Sequence, residues 1–361
     1  MLAPVTMRHC NSATLAALWI ILPVTLSLAA QQPPANPASS QSAPLTVDRD
    51  PVRSPDAAGA ASEPLHKEGP EGYVLRTDVE EVVLNATVLD GTKLVPGLKK
   101  ENFAVSEDGV KQNIISFQHT DVPVSIALVV DNSGSMSRKR PSVNKSALDL
   151  VEASNPEDEA FVVNFSDEAF IDQEFTSDVN KLRDGLSHIE SRGGTALYDA
   201  VVASADKLAA DAKRPKQVLV IITDGEDNAS TLTLEQTIRR VQQLSGPVIY
   251  SIGLLFGDEM SRSEVRHARR ALEMLSTETG GIAFFPKSIE EVDQIAAEVA
   301  RDIRNQYTIG YHSTKPSSVP GFRRILVTAE AKGMGKLTVR TRTGYFPVAP
   351  TKKRGVVAES H

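Results

Sequence analysis

The chain contains 361 residues, of which 41% are hydrophobic, and it has a formal net charge of −7. This length indicates about two domains with extensions, and the apolar share is sufficient for a sizeable core. The mild acidic charge and the lack of a long basic block exclude nucleic acid as an expected partner.

The N-terminal segment has the three parts of a secretory signal peptide. Arg8 precedes an apolar core at residues 13–22, and small residues follow at Ala29 and Ala30. We therefore predict that residues 1–30 form a cleaved signal peptide. The protein is then secreted, or it resides in the periplasm or cell envelope.

The alternative for this segment is an uncleaved membrane anchor. Its apolar run contains Pro23 and is short for a bilayer span, which needs about 20 residues. Membrane contact is thus expected only through this segment, if it is retained. The single cysteine, Cys10, precedes the apolar core, so we expect a mature chain without a disulfide.

Residues 31–71 are rich in Pro, Ala and Ser and contain almost no aromatic or β-branched residues. Such a composition cannot bury enough apolar surface to offset the entropy of ordering, so we interpret this segment as a disordered linker. Residues 348–361 are interpreted as a disordered, solvated tail.

Residues 72–121 change to a β pattern, in which apolar and polar residues alternate. Asp108-Gly109 separates two strand-like runs at 103–107 and 110–117. An Asp-Gly pair between such runs is typical of a two-residue hairpin. This segment alone offers only a small core for an independent domain.

Residues 122–306 alternate between strand and helix patterns. We predict strands at 124–130, 160–165, 218–223, 248–255 and 281–285, with an edge strand at 169–175. We predict helices at 142–151, 179–189, 196–209, 234–244, 264–279 and 289–305. This alternation predicts an α/β fold with a doubly wound, mostly parallel sheet and right-handed crossovers.

After residue 306 the pattern returns to β, with alternating runs at 307–311, 324–329 and 337–342. The segments 72–121 and 307–347 are each too small to bury a stable hydrophobic core alone. We therefore predict that they pair into one small all-β, sandwich-like domain. The α/β domain is inserted in it, because the chain ends of a domain often lie close together.

The first buried strand runs into the sequence Asp131-Asn132-Ser133-Gly134-Ser135. Ligands of open α/β sheets bind at the carboxyl ends of the strands, where this stretch lies. A carboxylate and two hydroxyls suit a hard cation such as Mg²⁺, which takes few carboxylates, neutral oxygens and waters. The alternative is that Asp131 and Ser133 only cap the following helix.

Two further stretches favour the cation site. Thr195 follows Gly193-Gly194 ahead of a helical pattern, and Asp224 follows the predicted strand at 218–223. A parallel sheet would bring these loops and the first one to the same edge.

These residues resemble the metal-ion-dependent adhesion site (MIDAS) of the von Willebrand factor type A (VWA) family. The family pattern of D-x-S-x-S, a separate Thr and a later Asp matches five residues in type and order: Asp131, Ser133, Ser135, Thr195 and Asp224. The resemblance covers residues 122–306, roughly half of the chain. The flanking segments, including the ending at 342–346, are similar to a bacterial VWFA-related group of secreted proteins.

The resemblance implies an exported, adhesion-type module that binds an acidic group of a protein partner through a divalent cation. A carboxylate of the partner would complete the coordination. In the family the Thr joins the metal when ligand binds, which would be Thr195 here. Mg²⁺ is the expected ion, and Mn²⁺ and Ca²⁺ stay open.

Two other functions are left open. One is a structural envelope module with a non-functional metal site. The other is a metal-dependent hydrolase, which is disfavoured because Ser133 stands where haloacid-dehalogenase-type phosphatases have a second Asp. The sequence also lacks G-x-S-x-G, P-loop and H-E-x-x-H patterns, so we do not expect an enzyme.

Two charged stretches near the candidate site have alternative interpretations. Glu226 and Asp227 either extend the cation site, attract a basic partner, or form a solvated loop. The basic run at 137–140 either helps to hold an acidic partner or starts a helix that faces solvent.

The intact mass of the protein purified from its native host checks the export prediction. We expect a chain that begins at Ala30 or Gln31, because the small residues before these positions suit a signal peptidase. A full-length cytoplasmic product would contradict the prediction.

Overall fold

The computed structural model describes residues 66–67, 73–74, 81–153, 155–187, 191–244, 246–257 and 260–347. The predicted signal peptide, nearly all of the predicted linker and the predicted C-terminal tail lie outside these residues. The chain divides into two compact units, residues 1–74 and 75–361. In the first unit, β1 (His66–Lys67) pairs with β2 (Tyr73–Val74) in an antiparallel arrangement.

The second unit begins with five strands: β3 (Glu81–Asp90), β4 (Lys93–Leu94), β5 (Phe103–Glu107), β6 (Val110–Gln112) and β7 (Ile114–Gln118). Asp108 and Gly109 have positive φ angles of 49° and 83°, as the predicted two-residue hairpin between β5 and β6 requires. The predicted run at 110–117 is divided at Asn113, because β6 pairs with β5 while β7 joins another sheet.

The α/β part follows the predicted order of elements. Its strands are β8 (Val124–Asp131), β9 (Glu159–Phe165), β10 (Ala169–Thr176), β11 (Lys216–Thr223), β12 (Val248–Gly253) and β13 (Ala283–Phe284). Its helices are α1 (Arg140–Glu152), α2 (Val179–Ser187), α3 (Leu197–Asp211), α4 (Leu234–Gln243), α5 (Arg262–Thr279) and α6 (Val292–Arg304).

These strands form one sheet in the order β10-β9-β8-β11-β12-β13. Every neighbouring pair is parallel except β9 and β10, so the predicted edge strand is the antiparallel one. The predicted α/β fold with a mostly parallel sheet is confirmed.

The central strands are buried on both faces, as their nearly uncharged sequences predict. Every residue of β8 is buried, and successive side chains enter opposite hydrophobic clusters. Ile126 and Leu128 pack with α1, α2 and α6, whereas Ala127 and Val129 pack with α3, α4 and α5. Helices therefore cover both faces of the sheet. Of the helices that the structure describes, none is long and apolar enough to cross a membrane.

Four strands follow the α/β part: β14 (Tyr307–His312), β15 (Arg323–Ala329), β16 (Thr338–Arg340) and β17 (Gly344–Tyr345). One sheet has the order β16-β3-β14-β7, with β4 beside β3, and another has the order β17-β15-β5-β6. Each sheet combines strands from both sides of the α/β part, and the two share one hydrophobic cluster. This agrees with the all-β part of the predicted fold class, while the domain boundaries stay predictions.

Asp302, near the end of α6, joins the α/β part to the β sheets. Its Oδ2 accepts hydrogen bonds from the Tyr250 hydroxyl of β12 at 2.6 Å and from the Thr87 hydroxyl of β3 at 3.4 Å. Its Oδ1 accepts one from Nη2 of Arg340 in β16 at 2.6 Å. The Asp302 side chain is only 7% exposed, so water cannot readily replace these partners.

Asp302→Ala is expected to lower the free energy of unfolding by about 2–3 kcal/mol, because it leaves a guanidinium and two buried hydroxyls without their acceptor. Chemical denaturation of variant and wild type measures the difference. Glu298→Ala, at an exposed position of the same helix, is the matched control and should change stability by about 0.5 kcal/mol or less. Equal effects of the two substitutions would contradict the role of Asp302.

Lys216, at the start of β11, buries its ammonium group in the same region. The residue is 6% exposed, and its Nζ donates to the backbone carbonyl of Ile303 at the end of α6. Burial lowers the pKa of Lys216 to about 8, against the attraction of Asp302. The protonated form therefore opposes folding at neutral pH.

Because Lys216 loses its proton, we expect the free energy of unfolding to rise as the pH increases from about 8 to about 10. The unfolded chain keeps Lys216 protonated up to its ordinary pKa of 10.5, so in this window it binds more protons than the folded chain. Denaturation curves across this range measure the rise, and Lys216→Met should flatten it. An unchanged rise in that variant would show that another group is responsible.

Candidate metal centre

Asp131 is the last residue of β8 and is fully buried at the carboxyl edge of the central sheet. Its Oδ1 accepts a hydrogen bond from the backbone N–H of Ser133 at 2.8 Å, and its Oδ2 accepts one from the Thr223 hydroxyl at 2.5 Å. Thr223 ends the adjacent parallel strand, β11. Burial raises the pKa of Asp131 to about 6, although both hydrogen bonds act in the opposite direction. A nearby cation would therefore stabilise this carboxylate.

Ser133 and Ser135 connect the first loop to Asp224. The two serine Oγ atoms lie 3.1 Å apart, and the Ser135 hydroxyl donates to Oδ1 of Asp224 at 2.7 Å. Ser133 precedes a short 3₁₀ helix, Gly134–Arg138, but its side chain makes no capping hydrogen bond to it. The capping alternative is therefore wrong for this serine, whose hydroxyl meets another proposed ligand instead.

Thr195 lies in the loop before α3 and is buried. Its backbone N–H donates to Oδ1 of Asn228 at 2.9 Å, and its carbonyl accepts from the Asn228 N–H at 3.0 Å. Its hydroxyl oxygen lies against Gly225, where an added Cβ would be 3.2 Å away. Thr195 is thus held beside the loop that begins with Asp224, and all five predicted residues lie at one edge of the sheet.

The Gly193-Gly194 pair lets the second loop approach Asp167. Gly193 has a φ of +82°, and a Cβ on it would collide with the Asp167 carboxylate. The Gly194 N–H donates to Oδ1 of Asp167 at 2.7 Å. Asp167 thus supports the loop of Thr195, a role that the sequence analysis missed because an isolated loop carboxylate belongs to no pattern.

Lys139 points into the site, which neither interpretation of the basic run predicted. Its Nζ lies 2.5 Å from Oδ2 of Asp224, whose other oxygen accepts from Ser135. The Asp224 side chain is 0% exposed and that of Lys139 is 15% exposed. The contact is therefore a largely buried ion pair within the candidate site.

Arg140 is buried behind the first loop. Its Nη1 donates to the backbone carbonyl of Asp131 at 3.1 Å, and its Nη2 donates to Oδ1 of Asn164 at 2.9 Å. Burial lowers the pKa of Arg140 to about 10, against the attraction of Asp131. In the basic run, only Ser137 and Arg138 face solvent as predicted. The side chains of Lys139 and Arg140 point inward, because they contact residues distant in the chain.

Asp227 and Glu226 contact neighbouring elements. Oδ2 of Asp227 accepts from the Tyr198 N–H at 3.0 Å and from the Ser230 hydroxyl at 2.5 Å, so it fixes its loop to the first turn of α3. Oε1 of Glu226 lies 3.1 Å from Nδ1 of His267 in α5. Asp227 lies in a partly exposed loop, as one interpretation predicted, and its carboxylate also positions that loop.

The oxygens at this edge fit a hard divalent cation. Two buried carboxylates and three hydroxyls are all oxygen donors. The pKa of Asp131 is raised, which means that its neighbours do not fully compensate for the cost of burying its negative charge. Among the described residues, no cluster of three or more His, Cys, Asp or Glu side chains could hold a metal ion. A metal here would therefore depend on the serine and threonine oxygens as well as on both Asp.

Residues 126–226 match the family model of the von Willebrand factor type A domain. The chain is also similar to the inter-alpha-trypsin inhibitor heavy chain H4 of Homo sapiens, with 25% identity over 241 residues, which are 61% of this chain and 25% of that protein. Heavy chain H6 of Homo sapiens is 24% identical over 220 residues, covering 54% and 16% of the two chains. The chain thus spans about a quarter or less of the length of these relatives.

Two similar solved structures have low sequence identity. The von Willebrand factor type A structure from Catenulispora acidiphila is 12% identical, covers 74% of this chain and 75% of its own, and has a TM-score of 0.42. The vWF domain of the type V pili tip protein Mfa5 from Porphyromonas gingivalis is 13% identical, covers 51% and 95%, and has a TM-score of 0.42. From the family match and the sheet topology, residues 126–226 belong to a von Willebrand factor type A domain.

Proposed function

We propose that this chain is a non-enzymatic binding module that takes an acidic group of a protein partner through a divalent cation. The main support is the convergence of two buried carboxylates and three hydroxyls, from three loops, at the carboxyl edge of the parallel sheet. The von Willebrand factor type A match supports a protein-binding role. The proposal includes export, on the pattern of the N-terminal segment.

Each proposed ligand has a separate task. Asp131 and Asp224 provide negative charge, and Ser133, Ser135 and Thr195 provide neutral oxygens. A divalent cation, when bound, supplies an electrophilic centre that a carboxylate of the partner can approach. Mg²⁺ suits such a site, because it needs few carboxylates and retains several waters, and Mn²⁺ and Ca²⁺ are the alternatives to test.

The proposed ligands lie beside exposed residues of the first loop. Gly134 and Ser135 are exposed, whereas Ser133 and Asp224 are buried. A cation held between these residues would meet solvent on one side and the protein on the other. An adhesion-type contact needs this arrangement, because an oxygen of the partner has to complete the coordination.

A structural module with a non-functional metal site is the second candidate. One observation favours it, since the Lys139 ammonium neutralises the Asp224 carboxylate without a metal. In this interpretation, the hydrogen bonds and the ion pair among the proposed ligands and Lys139 only stabilise the arrangement of the three loops. Metal titration distinguishes the two functions.

The wild-type protein is expected to bind Mg²⁺ or Mn²⁺ in calorimetric titration and to melt at a higher temperature with metal. Because the three loops converge only in the folded state, metal at about 100-fold saturation should add about 2.7 kcal/mol to the free energy of unfolding. Asp131→Asn keeps the shape of the side chain but removes its charge, so it should abolish both effects.

Matched variants make this test specific. Ser133→Ala removes one neutral oxygen and should weaken metal binding by about tenfold, or about 1.4 kcal/mol. Ser137→Ala, at an exposed serine of the same loop, should behave as the wild type. If Asp131→Asn responds to metal as the wild type does, the proposed site is wrong and the structural module is the better explanation.

A further inference from the structure

The Lys139 ammonium lies where a cation would approach Asp224. Its Nζ is 2.5 Å from Oδ2 of that carboxylate, and Oδ1 accepts from the Ser135 hydroxyl at 2.7 Å. Both oxygens of Asp224 are thus engaged within the protein. Any further cation meets a positive charge already in contact with its ligand.

The pair between Lys139 and Asp224 differs from an ordinary surface ion pair. The side chains are 15% and 0% exposed, respectively. Exposed pairs contribute little because water and salt screen them, whereas charges shielded from water interact strongly.

The backbone at Lys139 is anchored independently of its side chain. The Lys139 N–H donates to the Met136 carbonyl at 2.8 Å, and its own carbonyl accepts from the Val143 N–H at 3.1 Å. Met136 is fully buried. Lysine has a flexible four-carbon stem, so a change of its rotamer moves the ammonium without requiring these backbone hydrogen bonds to break. The Phe256 ring, with its centroid 5.5 Å from Nζ, provides a neighbouring contact.

We infer that Lys139 is an internal counter-cation of this site, which holds Asp224 in the metal-free protein and has to be displaced when a divalent cation binds. The inference rests on the metal-binding function proposed above. Displacement follows because an ammonium and a divalent ion repel each other when both contact one carboxylate. Lys139 therefore sets the metal affinity, which is weaker than the oxygen ligands alone would produce.

Lys139→Met tests the inference, because it retains the length and apolar stem of the side chain but removes its charge. Calorimetric titration with MgCl₂ and MnCl₂ should show binding about tenfold tighter than in the wild type. Lys145→Met is the matched control and should bind as the wild type does, since Lys145 is 60% exposed and pairs with Asp149 and Asp293. Without metal, Lys139→Met should melt below the wild type, and metal should raise its melting temperature by more.

A second readout uses the wild type alone. Chemical acylation of lysines, followed by mass spectrometry, should find Lys139 protected without metal and more reactive with MgCl₂. Lys100 should be reactive in both conditions, because it is exposed. Lys139→Gln, which also removes the charge, takes the place of the Met variant if that variant does not fold.

The outcomes separate this inference from the proposed function. Equal metal affinity in the wild type and Lys139→Met, with unchanged reactivity of Lys139, overturns the inference and leaves metal binding intact. Binding by the variant but not by the wild type supports the inference and shows that the ammonium blocks the native site. Lack of binding in both proteins overturns the inference together with the proposed metal function.

Discussion

The burial of Asp131 at the end of β8 is the constraint on which the rest of the site depends. Helices cover both faces of the sheet and β8 is buried throughout, so this carboxylate can find partners only at the carboxyl edge. The Thr223 hydroxyl and Ser133 provide hydrogen bonds to it. Neither provides positive charge, and the edge therefore favours a cation.

The positive charge nearest to this edge comes from the end of the serine-containing loop. Lys139 contacts the Asp224 carboxylate directly, whereas Arg140 contacts the backbone carbonyl of Asp131 and the Asn164 amide. The two side chains also differ in burial, since Arg140 is 4% exposed and the Lys139 side chain is 15% exposed. Arg140 thus stabilises the backbone of the loop, and Lys139 neutralises one of the proposed ligands.

The β sheets support the α/β part from the opposite end of the central strands. Lys216 begins β11 and lies near Asp302, which accepts hydrogen bonds from residues of β3, β12 and β16. Asp224 directly follows the other end of β11. The contacts of Asp302 and the start of β11 are thus at the end of the sheet opposite the proposed ligands.

Hydrophobic periodicity by itself determined the order of strands and helices, because strands buried on both faces contain almost only apolar residues. The ends of those strands also located Asp131 and Asp224, since a parallel sheet brings its carboxyl ends together. Only the tertiary structure decided that the run at 110–117 divides between two sheets, because β propensity is similar in both halves. It also decided the direction of Lys139, whose partner Asp224 is 85 residues away in the chain. A local charge pattern cannot indicate such a contact, because it forms only when distant loops converge at the sheet edge.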